Sequence, residues 1–255
     1  MKKVRFFGTT GDKDLMFQNK LAPGAGVYME LEGKKIIMDP GPGTFNNFIR
    51  EYPKMINHLD AVILSHVHFD HSTDVNAMIE GMTEGGAKKK GKLITLNNAY
   101  EGESRVIFNY LKSFPADICL VDDAPKTLLG DIKIEAVKHQ HGVPNYGYKF
   151  YTKDSCVSVV TDTAYFKELP IIYGESTSII INVPYYTFPE GKQPKHLCIE
   201  NVKQMLTEIR PKRTILTHFG NNIYIANVDK VVQSLSEDLG MDVLAAKVDR
   251  EYELI

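Results

Sequence analysis

Four side chains able to bind a metal fall within six residues, His66-Val67-His68-Phe69-Asp70-His71. They follow an apolar run, Ala61 to Ser65, that has the character of a buried strand. Neutral imidazoles and a carboxylate at the end of such a strand need polar partners, and packing alone does not supply them. A metal ion does. In an extended turn His66 and His68 point to one side while Asp70 and His71 face a neighbouring point, so the spacing allows two metal centres.

The elements that must position this cluster are mostly short strands. Val4 to Phe7, Gly26 to Leu31, Lys35 to Met38 and Leu93 to Leu96 read as strands, as do Ile132 to Ala136, Tyr146 to Tyr151, Val157 to Thr161 and Ile179 to Ile181. Glu32-Gly33 is placed as a hairpin turn, with Gly33 free to take positive φ. Helical periodicity is clearest from Ile199 through Ile209, stopped by Pro211, and from Val228 through Leu239, capped by Gly240. Shorter helices are expected after His71, through Val75 to Met82, and around Arg105 to Leu111. Strands, a helix, more strands and late helices suit two packed sheets flanked by helices. No repeat and no low-complexity linker divides the 255 residues, so one domain spanning 1–255 is expected.

Composition narrows the function classes. Apolar residues make up 43% and charged residues 24%, the balance of a soluble globular chain. Thirty Lys and Arg against 32 Asp and Glu leave a net charge of −2, so no global positive field gathers nucleic acid or membrane. The basic run Lys88-Lys89-Lys90-Gly91-Lys92 reads as a solvated loop tip. The first residues lack the apolar core of a secretion signal, and no stretch approaches membrane-spanning length. Cys119, Cys156 and Cys198 have no paired spacing and read as buried thiols of a reducing compartment, which places the chain in the cytoplasm.

His66-Val67-His68-Phe69-Asp70-His71 resembles the His-x-His-x-Asp-His signature of the metallo-β-lactamase superfamily. Ile36-Ile37-Met38-Asp39-Pro40-Gly41-Pro42-Gly43 is similar to that superfamily's strand ending in an aspartate and a Gly-rich turn, where Asp39 would orient ligands through hydrogen bonds. Val137 to Tyr148, with His139, His141 and a Tyr-Gly-Tyr strand, resembles the histidine segment of the ribonuclease Z branch; its register selects His141, with His139 as the alternative. Val159-Val160-Thr161-Asp162-Thr163 resembles the strand that delivers a bridging carboxylate, and Thr214 to Gly220 the strand that delivers the last histidine, His218.

The resemblance implies a four-layer αββα sandwich. It implies His66, His68 and His141 on one metal, Asp70, His71 and His218 on the other, and Asp162 between them. Two divalent ions are expected, zinc first, with manganese or iron as alternatives. It implies a hydrolase in which a hydroxide between the metals attacks the substrate, with Asp70 counted among the catalytic residues. Gln193 to Glu200 is similar to the segment carrying the leaving-group acid in ribonuclease Z and cyclic phosphodiesterases, which makes His196 the candidate acid.

Two departures matter. Ile179-Ile180-Ile181-Asn182-Val183-Pro184 lacks the glutamate that supports that acid in ribonuclease Z, and the span from Tyr151 to Val157 leaves no room for the arm that grips transfer RNA. The expected substrate is therefore a small or nucleotide-like phosphodiester, with no specific tRNA binding and no membrane partner; the chain could pair as a homodimer. Hydrolysis of a lactone, thioester or β-lactam is the alternative reaction. An iron-dependent redox enzyme is the alternative from another class, and a metal-free binding module a third.

Overall fold

The computed structural model describes residues 2–18, 24–191, 194–248 and 250–255. Among the described residues fourteen strands form two seven-stranded sheets. The first contains β1 (Lys3–Phe6), β2 (Val27–Leu31), β3 (Lys34–Met38), β4 (Ala61–Ile63), β5 (Lys92–Thr95) and β6 (Asp117–Leu120). The second contains β7 (Lys126–Leu129), β8 (Ile132–Lys138), β9 (Tyr146–Tyr151), β10 (Cys156–Val160), β11 (Ser178–Asn182), β12 (Arg213–Thr217) and β13 (Val243–Ala245). The last strand, β14 (Glu251–Glu253), returns to the first sheet beside β1.

Both sheets run antiparallel and then parallel in chain order. β1, β2 and β3 pair antiparallel, and β3 to β6 pair parallel. β7 to β10 pair antiparallel, and β10 to β13 pair parallel. The halves share a topology although no sequence repeat links them.

Alternation along the strands builds the layers. Ile36, Met38, Ala61 and Ile63 meet Ile134, Tyr148, Val157, Val159, Ile180 and Ile215 in a core between the sheets. The intervening Ile37 and Val62 face outward onto Phe48, Val75, Met78, Ile79 and Met82 of the helices Thr44–Glu51 and Val75–Met82. On the other side Ile179, Ile181 and Leu216 face Leu169, Val202, Met205, Leu206, Val232 and Leu235. Helix, sheet, sheet, helix is the expected four-layer αββα sandwich. Each sheet has two buried faces, which is why its central strands read as near-continuous apolar runs.

The Ile199–Ile209 and Val228–Leu239 helices lie where the periodicity puts them, with Gly240 as a left-handed cap at φ 60°. Glu32 and Gly33 both take positive φ, 47° and 77°, the twist a two-residue hairpin needs. Arg105 to Leu111 is not an α-helix. A 3₁₀ turn covers Asn109–Ser113, and the segment before it is held open by Asn76, whose side chain accepts from Phe108 N (2.9 Å) and donates to Val106 O (2.8 Å). Those backbone groups are satisfied without a helix. Among the described residues no helix is long and apolar enough to cross a membrane.

Candidate metal centre

β3, β4, β8, β10 and β12 deliver the chemistry from the C-terminal ends of strands in both sheets, where open α/β sheets place their ligands. Asp39 directly follows β3, and His218 directly follows β12. Both have left-handed backbones, φ 48° and 64°. For residues with a Cβ this costs on the order of 1 kcal/mol or more each, and such strain collects at functional sites. Asp162 lies two residues beyond β10, and His66 three beyond β4.

The side chains converge as two trios. His68 Nδ1 is 3.1 Å from His66 Nε2 and 3.0 Å from His141 Nε2. His218 Nε2 is 3.3 Å from His71 Nε2 and 3.5 Å from Asp70 Oδ2, and His71 Nε2 is 3.7 Å from that same oxygen. Asp162 reaches both groups. Its Oδ2 is 3.6 Å from His71 Nε2, 3.9 Å from His141 Nε2 and 4.0 Å from His66 Nε2, while its Oδ1 is 3.4 Å from His218 Nε2.

The outer hydrogen bonds fix three tautomers. Ser65 Oγ donates to Asp39 Oδ2 (2.6 Å), so it accepts from His66 Nδ1 (2.9 Å). Asp39 Oδ2 accepts from His71 Nδ1 (3.0 Å), and Lys195 O from His141 Nδ1 (2.9 Å). Each of these rings therefore turns its Nε2 into the cluster. Asp39 holds the geometry from behind, as expected, and its other oxygen accepts from Ser65 N at 2.7 Å.

Electrostatics prepare the donors. Burial, reinforced by His71, pushes His66 well below the usual histidine range, and burial together with His141 lowers His68. Both are neutral. Burial would raise Asp162, but His218, His196 and His71 outweigh it and hold the carboxyl well below its ordinary value. Asp70 is likewise lowered, because His71 and His218 overcome its burial. Burial lowers His71, but Asp70 and Asp162 outweigh it and raise it well above the ordinary value, so a proton lies there when no cation does.

This donor set fits divalent cations. A tetrahedral site with metal–nitrogen distances of about 2.0–2.1 Å separates its ligand atoms by about 3.3 Å, the spacing within the trios. Neutral imidazoles and ionised carboxylates, held by hydrogen bonds from behind, are the forms that bind metal.

Residues 34–219 match the family model described as a beta-lactamase superfamily domain. The chain belongs to the metallo-β-lactamase superfamily. Superfamily membership makes it a metal-dependent hydrolase by class. Over 261 residues it is 24% identical to an uncharacterized protein of Methanocaldococcus jannaschii, covering 99% of this chain and 95% of that one. It is 24% identical over 170 residues to ribonuclease Z of Methanopyrus kandleri, covering 66% of this chain and 56% of the relative, so the match spans about half of that enzyme. The metallo-beta-lactamase fold protein YhfI from Bacillus subtilis superposes with a TM-score of 0.81 at 19% identity, covering 99% of each chain. At that identity the likeness concerns the fold.

Between the two histidines left open by the sequence, the structure of this superfamily member separates them. His141 joins the cluster. His139 turns away, its Nε2 2.8 Å from Tyr173 Oη and its Nδ1 3.1 Å from Thr161 Oγ1. Thr161 Oγ1 donates to Tyr146 O (2.9 Å), so His139 Nδ1 donates to Thr161 and His139 Nε2 accepts from Tyr173. Burial pushes His139 down to about 3, consistent with a neutral ring. Asn145, which also meets Thr161, donates to Asp162 O, so this buried network braces the backbone that carries Asp162.

The network explains Gly147, since a Cβ there would collide with Tyr173 Oη and His139. Gly147→Ala is expected to lower stability by about 1–3 kcal/mol, read from the urea midpoint at unchanged slope. An unchanged midpoint would mean that the network repacks freely.

His196 stands at the edge of the cluster, with Nδ1 3.7 Å from Asp162 Oδ2. That nitrogen is buried and has no hydrogen-bond partner among the described residues. At the end of β11 Asn182 Nδ2 donates to Asp162 Oδ1 (2.9 Å). Gln193, at the head of the His196 segment, lies outside the described residues. Sequence reading missed Ser65, Asn182 and the carbonyl of Lys195 as positioning groups. Asn182 left a signal, a single amide closing the apolar run Ile179-Ile180-Ile181.

Proposed function

We propose that this chain is a dinuclear phosphodiesterase acting on a small or nucleotide-like phosphodiester. The observation that carries the reading is the position of Asp162 Oδ2, 3.6 Å from His71 Nε2 in one trio and 3.9 Å from His141 Nε2 in the other. His66, His68 and His141 would hold one cation, Asp70, His71 and His218 a second, and Asp162 would touch both. Divalent ions bound there make water a nucleophile at neutral pH and offset the charge that develops on phosphorus. Zinc suits the donor set, with manganese or iron as alternatives.

The chain's own groups do the rest. Asp39 and Ser65 fix the rings of His71 and His66, which keeps the donors aimed while charge moves. His196 Nδ1 faces the cluster with no partner among the described residues, placed to meet an oxygen of the substrate. The similarity to ribonuclease Z favours phosphorus over acyl carbon as the centre attacked. The tight hairpin at Thr152 to Ser155 between β9 and β10 offers no arm for transfer RNA, which favours smaller substrates.

Elemental analysis of the purified protein, followed by turnover of bis(p-nitrophenyl) phosphate, cyclic nucleotides, lactones and thioesters, tests the reading. Metal near two equivalents with turnover of diesters alone is expected. Turnover of acyl substrates alone would sink it, and oxygen consumption with stoichiometric iron would favour redox chemistry.

Metal binding must also displace the proton on His71, so apparent affinity rises with pH. Below the pKa of His71 the expected slope is about tenfold per pH unit. Competition with a chromophoric chelator at several pH values measures it, and a flat profile would contradict the placement of His71 among the ligands.

A further inference from the structure

Two clefts open beside the cluster and they differ in charge. One, about 610 Å³, is lined on the His141 side by Lys138, Lys195, Asp122, Val143, Pro144 and Tyr146. The other, about 470 Å³, adjoins the His218 side and is lined by Asp12, Lys13, Asp14, Tyr185, Asn222 and Ile225. His196 lies between them, its ring 4.9 Å from that of His141 and 6.0 Å from that of Tyr185. Each cleft is of a size that holds a small organic group.

A phosphodiester has two ester arms, and a phosphorus held at Asp162 beside His196 would direct one arm into each cleft. Among the described residues the His141-side cleft presents two lysines against one aspartate. Asp122 accepts from Tyr146 Oη at 3.0 Å and from Asn97 N at 2.6 Å, as Asp12 in the other cleft accepts from Asp14 N at 2.9 Å and Asn221 N at 3.2 Å, so the two lysines leave the His141-side cleft the more positive of the two. Neither Lys138 nor Lys195 forms an ion pair among the described residues, and Lys195 Nζ is anchored near the cluster by donating to His141 O (3.2 Å). Among the described residues the other cleft has the opposite balance, with two aspartates and one lysine, together with amides and the Tyr185 ring.

We infer that the substrate is an asymmetric phosphodiester: the arm in the His141-side cleft carries a further anionic group such as a second phosphoryl, and the arm in the His218-side cleft is uncharged. This deepens the phosphodiesterase reading and rests on it. The lysines attract added negative charge at one end, and Asp12 and Asp14 repel it at the other, so the charge pattern also fixes which way round the diester lies.

Two chromogenic probes test it on the metal-loaded protein: p-nitrophenyl thymidine 5′-phosphate and the same compound bearing a 3′-phosphate. The wild type is expected to favour the 3′-phosphorylated probe by about tenfold in kcat/KM at low salt, with the preference shrinking as ionic strength rises. In the double variant Lys138→Gln, Lys195→Gln the ratio falls toward one. A wild-type ratio near one, or a preference that survives the double variant, would overturn the inference. Calorimetric binding of thymidine 3′,5′-bisphosphate against thymidine 5′-monophosphate separates the two readings. If neither probe is hydrolysed but the bisphosphate binds tighter and loses that advantage in the double variant, the cleft assignment stands and the phosphodiesterase reading falls.

Discussion

Asp162→Asn is expected to lose metal and to lower kcat/KM by about a thousandfold or more, the scale of removing several kcal/mol of charge stabilisation. The substitution keeps size and shape, so packing survives. The carboxylate's negative charge does not, and His71, His66, His141 and His218 all face that side chain at 3.4 to 4.0 Å. Asn182 can still donate to the amide oxygen, as it does to Asp162 Oδ1, which leaves one lone pair and two N–H donors where two anionic oxygens reached both trios. Elemental analysis, steady-state kinetics and a thermal melt on the same preparation check the result. A variant that folds and keeps both metal and turnover would remove Asp162 from the centre of the site.

The part of this site that lies in one short segment was legible because four donors crowd into six residues. His141, Asp162 and His218 are different. Each lies one to three residues past a strand, His141 among other polar residues and Asp162 between two threonines, and only the family resemblance singled them out. Their meeting depends on β8, β10 and β12 running in the same direction, so that their C-terminal ends share one edge. Ser65 and Asn182 escaped for a related reason, because a side chain that braces a ligand carries no spacing of its own.

The fold divides in the same way. The central strands were visible in their apolar pattern except β12, which the family resemblance supplied, and the four strands that were not visible at all, β6, β7, β13 and β14, are the sheet edges. Edge strands bury less and admit charge, as in Asp117-Ile118-Cys119-Leu120 and Glu251-Tyr252-Glu253, where the flanking acids are exposed. Their pairing is specified by the neighbouring strand and not by their own hydrophobicity. The helix expected at Arg105 to Leu111 failed because Asn76, thirty or more residues earlier in the chain, took the backbone groups it needed.

His196→Ala is expected to slow diesters with alkyl leaving groups by about a hundredfold to ten-thousandfold while slowing p-nitrophenyl esters less than about tenfold. An alkoxide must be protonated as it departs, whereas p-nitrophenolate leaves without help. Burial pushes His196 down to about 4, so in the free protein the ring is neutral at pH 7. A bound phosphodiester brings negative charge beside it, which stabilises the imidazolium and raises that pKa. For an alkyl diester kcat should therefore fall as pH rises through the bound-state pKa of His196. The limb should vanish in the variant and for the aryl ester. Equal losses on both leaving groups with an unchanged pH profile would make His196 a packing residue between His141 and Tyr185.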